Sequence, residues 1–368
     1  MQVTGWGKIW FMAFCSGLMG ACTSEVVNRE PMVNLTGITA GEIKLADLNK
    51  ALRQNQNNAG LYAKRAKIYL QQKNLEKALA DIQAAIRIND NQEEFYFWKA
   101  VILREDQQIT QALEVAEEAE NLGLKDPNNY LLQTELLIKK KRFSEALDKV
   151  TEALKLDPEN THGLYYKGLA RAFLGDTVSA IILYKRTIKT APDFIFPYLQ
   201  LSSIFNAQQD YSQAHYYLKN GARLDSTNGY LWYQRGLRFN GLKVPDSAYV
   251  GFAQAVKSDP AQYLAYYQMG LIDYKRKDYS RASANMEMAQ AQASNLIGST
   301  EILAESYEKT GRYKEALVEY NKILRRKPND VRTMWGIRRS NYALYKIQRD
   351  SLNRSRFRRY SITDTTKL

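Results

Sequence analysis

Eight alanines, Ala78, Ala112, Ala146, Ala180, Ala214, Ala248, Ala282 and Ala316, follow one another at a constant step of 34 residues. A step held that long restricts the chain to an array of similar supersecondary units, each stacked on the next. Other columns keep the same phase. Twelve residues before each alanine stands a small residue: Ala66, Ala100, Thr134, Gly168, Ser202, Gly236, Gly270 and Ala304. Four places earlier come Tyr62, Tyr96, Tyr130, Leu164, Tyr198, Trp232, Tyr266 and Thr300, mostly aromatic. Each period holds two stretches of helical length with apolar residues three and four apart, so the unit is a pair of helices.

The small columns have a packing reason. Two helix backbones approach closely only where no bulky side chain stands between them, because interiors are already close-packed. Pro158, Pro192, Pro260 and Pro328 share the closing column, where proline stops the second helix by lacking an amide donor. Aromatic, small, Ala and closing Pro in that order resemble the tetratricopeptide repeat, a helix–turn–helix unit. The clearest copies begin at Pro127 and Ile297. Eight units tile residues 59–330 without a gap. The resemblance implies an all-α fold, a right-handed superhelical solenoid. Residues 41–58 are expected to form an N-terminal capping helix, and residues 331–368 a C-terminal capping helix followed by a loose basic tail.

Charge is concentrated at that C-terminal end. Residues 322–368 carry 14 Lys and Arg against 3 Asp and Glu, whereas the whole chain has a formal net charge of +13. The rest is nearly neutral, so the chain has no global basic field, and no nucleic-acid partner is expected. The basic end, with Arg354, Arg356, Arg358 and Arg359 around Phe357 and Tyr360, is expected to meet an acidic surface, either anionic lipid or an acidic partner segment.

The other end has the layout of an export signal. Lys8 precedes an apolar run from Ile9 to Ala21, too short to span a bilayer, and Cys22 follows. The stretch Leu18-Met19-Gly20-Ala21-Cys22 resembles a bacterial lipoprotein signal, with Met19 in place of the usual Leu. That resemblance implies removal of residues 1–21, acylation of Cys22 and a place in the bacterial cell envelope, at the outer membrane. Residues 22–40 are polar and read as a flexible tether.

The sequence offers little to catalysis. It holds 2 His and 2 Cys, and neither a glycine-rich phosphate loop nor a nucleophile elbow. No catalytic residue, metal ligand or cofactor is expected, and His162 and His215 read as ordinary surface histidines. The informative feature is the abundance of tyrosine, 25 residues, since Tyr joins an apolar body to a polar tip. In the repeat family the second, fifth, ninth and twelfth places of each unit line a concave groove, with the sixth and thirteenth at its edge. Here they supply Phe97, Trp98, Tyr165, Tyr166, Phe173, Phe196, Tyr230, Tyr233, Gln234, Asn240, Tyr267, Gln268 and Tyr274. Such a lining suits an extended peptide or protein segment, and the expected function is a membrane-anchored interaction scaffold in envelope assembly or secretion. The alternative is a carbohydrate-binding envelope lipoprotein that stacks sugars on the same rings.

Overall fold

A computed structural model describes residues 45–293 and 296–364, with side chains as far as Arg354. The signal-like segment, Cys22 and the tether lie outside the described residues. Among the described residues there are eighteen α-helices and no strand. They fall into two compact units, one ending at Ala207 and the other beginning at Gln208.

The first unit contains α1 (Leu45–Gln54), α2 (Ala59–Gln71), α3 (Leu75–Ile88), α4 (Glu93–Glu105), α5 (Ile109–Asn121), α6 (Pro127–Lys139), α7 (Phe143–Leu156), α8 (Thr161–Phe173), α9 (Thr177–Thr190) and α10 (Phe196–Ala207). From α2 onward each odd helix closes a hairpin with the helix before it and packs on the helix that follows. The second unit contains α11 (Tyr211–Leu224), α12 (Gly229–Gly241), α13 (Pro245–Ser258), α14 (Tyr263–Lys275), α15 (Tyr279–Gln292), α16 (Ser299–Lys309), α17 (Tyr313–Arg326) and α18 (Val331–Asp364). It repeats the pattern, with hairpins α12/α13, α14/α15 and α16/α17. The all-helical stacked-hairpin class expected from the period is therefore observed.

The packing follows the columns. Every one of the eight alanines has 0 % exposed surface. Where the eighth place of the first helix is glycine, the second helix supplies a large side chain into the space. A Cβ on Gly168 would stand 2.8 Å from Tyr184, one on Gly236 2.5 Å from Phe252, and one on Gly270 2.9 Å from Met286. Volume is thus balanced within these three hairpins, not residue by residue.

A further column emerges in the turns between first and second helices. Lys73, Gln107, Lys141, Gly175, Gln209, Lys243, Lys277 and Gly311 keep the step of 34 and all have positive φ, between 58° and 87°. The left-handed residue lets the chain reverse while its neighbour's amide closes the helix end: Arg142 N donates to Leu137 O, and Asp278 N to Asp273 O, both at 2.9 Å. The next helix starts at once. Asn74, Asp176, Asp210 and Asp278 cap it by accepting from the amide three residues on.

Both ends are tied by ion pairs. The Arg65 guanidinium binds Asp81 through two bonds (2.6 and 2.7 Å) and reaches Asn49 of α1 at 2.7 Å. Leu48 and Leu52 of α1 are buried beneath it. In the second unit Arg339 of α18 pairs with Glu308 (2.5 and 3.0 Å), which also accepts from Tyr320 at 2.6 Å. The loose tail expected after Asp350 is replaced by helix, because α18 runs unbroken through Asp364. Residues 331–364 contain no proline and a single glycine, Gly336, so nothing in them stops a helix.

Candidate interaction surface

The first helices carry the residues expected to face a groove, and most of them are buried. Tyr165, Tyr166 and Tyr233 have 0 % exposed surface, and Phe97, Trp98, Tyr230, Gln234, Tyr267 and Gln268 are also buried. Phe173, Phe196 and Tyr274 are half-buried, and only Asn240 is exposed. Helical spacing gives the direction of a side chain but not the distance to its neighbour. Successive first helices touch, as α4 does α6 and α6 does α8, and this covers the fifth and sixth places.

Each buried ring has a structural partner. Trp98 donates from Nε1 to Glu94 at 3.0 Å, and the Lys67 ammonium lies 4.2 Å from its ring centre. Phe173 stacks on Phe143 at 4.2 Å. Tyr233 packs on Phe252 and Tyr230 at 5.8 and 6.1 Å. Tyr267 donates to Ile297 O at 2.7 Å, and burial pushes its hydroxyl up to about 12. Tyr274 donates to Glu305 at 2.7 Å; burial first, and that carboxylate second, raise it to about 12 as well. Neither hydroxyl ionises near neutrality.

Between α7, α8 and α9 the first unit opens a pocket of about 520 Å³. Its lining is Asp157, Glu159, Asn160, Thr161, His162, Ala191, Asp193 and Phe194. The turn that follows Asp157 ends in Asn160, whose side chain caps α8 by accepting from Gly163 N at 2.9 Å and donates to Asp157 at 2.9 Å. This fixes the acidic rim. Glu159 is held by Arg186.

The pocket wall is aromatic. Phe194 lies 5.3 Å from the His162 ring, 5.4 Å from Tyr165 and 5.4 Å from Phe196. Tyr165 is the hub: it also meets Tyr166 and Tyr184, and its hydroxyl accepts from Gln200 at 3.3 Å. So Tyr165 does not present its ring; it supports Phe194 and Phe196, which remain half-exposed. Burial lowers the pKa of His162, against the pull of Glu135, and holds the ring neutral in neutral solution. A neutral imidazole, a phenyl ring and the carboxylates of Asp157 and Asp193, with Glu159 already engaged by Arg186, make a recess that attracts a cationic, flat or aliphatic side chain.

Two features escaped sequence reasoning. Phe194 occupies the last place of its unit, outside the groove columns, although the run Phe194-Ile195-Phe196 after Pro192 was there to notice. A charged chain also crosses the first helices: Lys73 pairs with Glu105 (2.8 Å), Arg104 with Glu105 (2.7 Å) and Glu135 (3.1 Å), and Lys139 with Glu135 (3.1 Å). Arg104 and Glu135 are 2 and 1 % exposed, so this ion pair is buried. His215 is exposed on α11. Among the described residues no three His, Cys, Asp or Glu side chains cluster as metal ligands, and no helix is long and apolar enough to cross a membrane.

Sequence models of the tetratricopeptide repeat match residues 59–92, 132–193 and 302–330. These stretches are tetratricopeptide repeats. The fold resembles a tetratricopeptide repeat protein from Parabacteroides merdae at 15% identity and a TM-score of 0.58, covering 68% of this chain and 99% of that one. It resembles a chain of the APC/C hetero-tetramer Cut9–Hcn1 at 15% identity and a TM-score of 0.55, covering 80% of this chain but only 58% of that one. Pseudomonas aeruginosa pilF is similar at 16% identity and a TM-score of 0.51, covering 62% of this chain and 99% of that one. No curated protein matches in sequence.

Proposed function

We propose that this chain is a non-enzymatic scaffold that holds a partner protein or peptide at a bacterial membrane, with Cys22 as its acylated anchor. The repeats support the first part: they supply rigid helical hairpins whose outward positions vary while their packed columns stay constant. The observation that carries the reading is the aromatic pocket at α7–α9. Its half-exposed Phe194 and Phe196 rest on a buried tyrosine cluster, and Asp157, Glu159 and Asp193 surround the opening. A basic residue of an extended peptide would place its stem on the rings and its charge among the carboxylates. The rings that a sugar would need as stacking platforms are the buried ones, so the geometry favours a peptide over a carbohydrate.

The contact set therefore shifts from Tyr165 and Tyr233 to Phe194, Phe196 and Asp193. A photo-reactive residue at position 194, activated in intact cells, should yield an adduct with one partner, whereas the same residue at exposed Lys185 should not. Phe194→Ala should then weaken that partner by roughly thirtyfold, about 2 kcal/mol, with helicity unchanged. Equal labelling at the two positions would refute the pocket as the docking point. Cys22→Ala should release the chain from the membrane fraction, and full retention would remove the anchor from the reading.

A further inference from the structure

The outward face of α18 combines exposed apolar side chains with arginines. Val331 stands 34 residues after Ile297, so α18 begins in the register of a ninth first helix. In earlier hairpins the eighth place of such a helix is small and meets the second helix, as Gly236 meets Phe252 and Gly270 meets Met286. In α18 the eighth place is Arg338. At the fifteenth place, where the other units reverse through a left-handed residue, α18 has Tyr345 and continues as helix. Among the described residues no second helix folds back over it.

The face left open is apolar and cationic. Val331, Met334, Trp335, Tyr342, Tyr345 and Leu352 are between 44 and 67 % exposed. Their spacing of three, four and seven residues keeps them on one side of the helix. Arg338 and Arg349 share that side; the Arg338 guanidinium lies 5.4 Å from the Trp335 ring centre, and Arg349 reaches Asp350 at 3.1 Å. The opposite side faces the protein: Thr333 and Ser340 are buried, and Ile337 packs on the core of α14–α17.

We infer that this face of α18 lies on an anionic bilayer surface. A further repeat helix cannot pack on it as in the other hairpins, because Arg338 occupies the position where close helix approach requires a small residue. Charge selects the sign of the partner, since residues 322–368 hold 14 basic and 3 acidic side chains. The mixture selects its kind. Trp and Tyr with Arg along about 30 Å of exposed helix match the headgroup layer, where amphipathic rings and cations are both satisfied and no rigid pocket has to be in register with each ring. The inference is independent of the pocket at Phe194 and of lipid at Cys22.

The test is sedimentation of the full chain with vesicles of phosphatidylcholine alone and of phosphatidylcholine mixed with phosphatidylglycerol. Binding should be strong only to the mixed vesicles and should fall as salt rises. Arg338→Gln with Arg349→Gln should weaken it roughly thirtyfold, and Arg338→Lys with Arg349→Lys should retain it. Both pairs are exposed, and matching circular dichroism would confirm that the fold is intact; should the Gln pair fail to fold, Trp335→Ser with Tyr342→Ser serves in its place. Any contribution of the N-terminal segment is common to all variants. Equal binding to the two vesicle types, or an unchanged affinity in the Gln pair, would overturn the inference. So would binding to soluble polyglutamate with none to anionic vesicles, because the partner would then be an acidic chain.

Discussion

Replacing the residue at the left-handed turn position should raise or lower stability according to backbone conformation alone. Lys141 and Lys243 hold φ near 59° and Lys277 holds 62°. An L-residue in this region suffers crowding between Cβ and its own backbone that costs about 1–2 kcal/mol, whereas glycine avoids it but gives up about 0.5–1 kcal/mol of chain entropy on folding. Lys→Gly at each site should therefore stabilise by about 0.5–1 kcal/mol. The converse is cleaner still. A Cβ added to Gly175 or Gly311 would meet nothing within 4 Å, so Gly175→Ala changes no packing contact and reports only the strain. It should destabilise by about 0.5–1 kcal/mol. The sites lie in different hairpins, so the gains at Lys141, Lys243 and Lys277 should add, reaching about 1.5–3 kcal/mol together. Repeat arrays open unit by unit, so urea midpoints should be joined by hydrogen exchange at the turn amides. The reasoning fails if Lys→Gly and Gly→Ala shift the midpoint in the same direction, or if neither shifts it.

Val244 stands where Asp176, Asp210 and Asp278 cap their helices, and it makes no cap; Val244→Asp should stabilise α13 by about 1 kcal/mol, read from the urea midpoint and from slower exchange in its first turn. Asp273 is buried, and its Oδ2 accepts from Asn285 (2.8 Å) and Tyr249 (3.3 Å) while Oδ1 lacks a partner. Burial raises its pKa, so its folded form prefers the proton: stability is full below the unfolded value of 3.8 and declines as pH rises through the folded value. Asp273→Asn should remove that decline and raise the midpoint at neutral pH; a variant with the parent's pH profile would show that the carboxyl is solvated.

The period made the architecture legible because packing acts on side-chain size. Alanine and its small counterparts are identified by volume, and volume is what a hairpin seam selects. The turn column stayed hidden for the opposite reason. Lys, Gln and Gly share no size, charge or polarity there, only a dihedral angle, and the sequence of Lys141 does not display φ. The groove was half legible: residue spacing placed Tyr165 and Tyr233 on a common face, but contact between successive first helices decides which rings that face still shows. The pocket at Phe194 is assembled from the ends of three helices, so no periodic column contains it. The helix beyond Asp350 was not read from the sequence, although the absence of proline in residues 331–364 permits it, because the cluster of arginines drew attention to charge instead.

The pairing of glycine with a large neighbour has a consequence for the history of such a chain. Gly168 and Tyr184, Gly236 and Phe252, and Gly270 and Met286 each lie within one stretch of 34 residues. At these three places whatever compensates a lost side chain travels with the loss, whereas Gly241 and Gly336 face Tyr211 and Tyr320 of the preceding unit. A duplication or excision cut at the loops between hairpins copies or removes both halves of the complement together. A crossover between the two helices of a hairpin would set glycine against alanine and leave a void, or set alanine against tyrosine and force the helices apart. Recombination among these repeats should therefore be tolerated at one phase of the period and penalised at the other, so the loops are natural seams for lengthening the array.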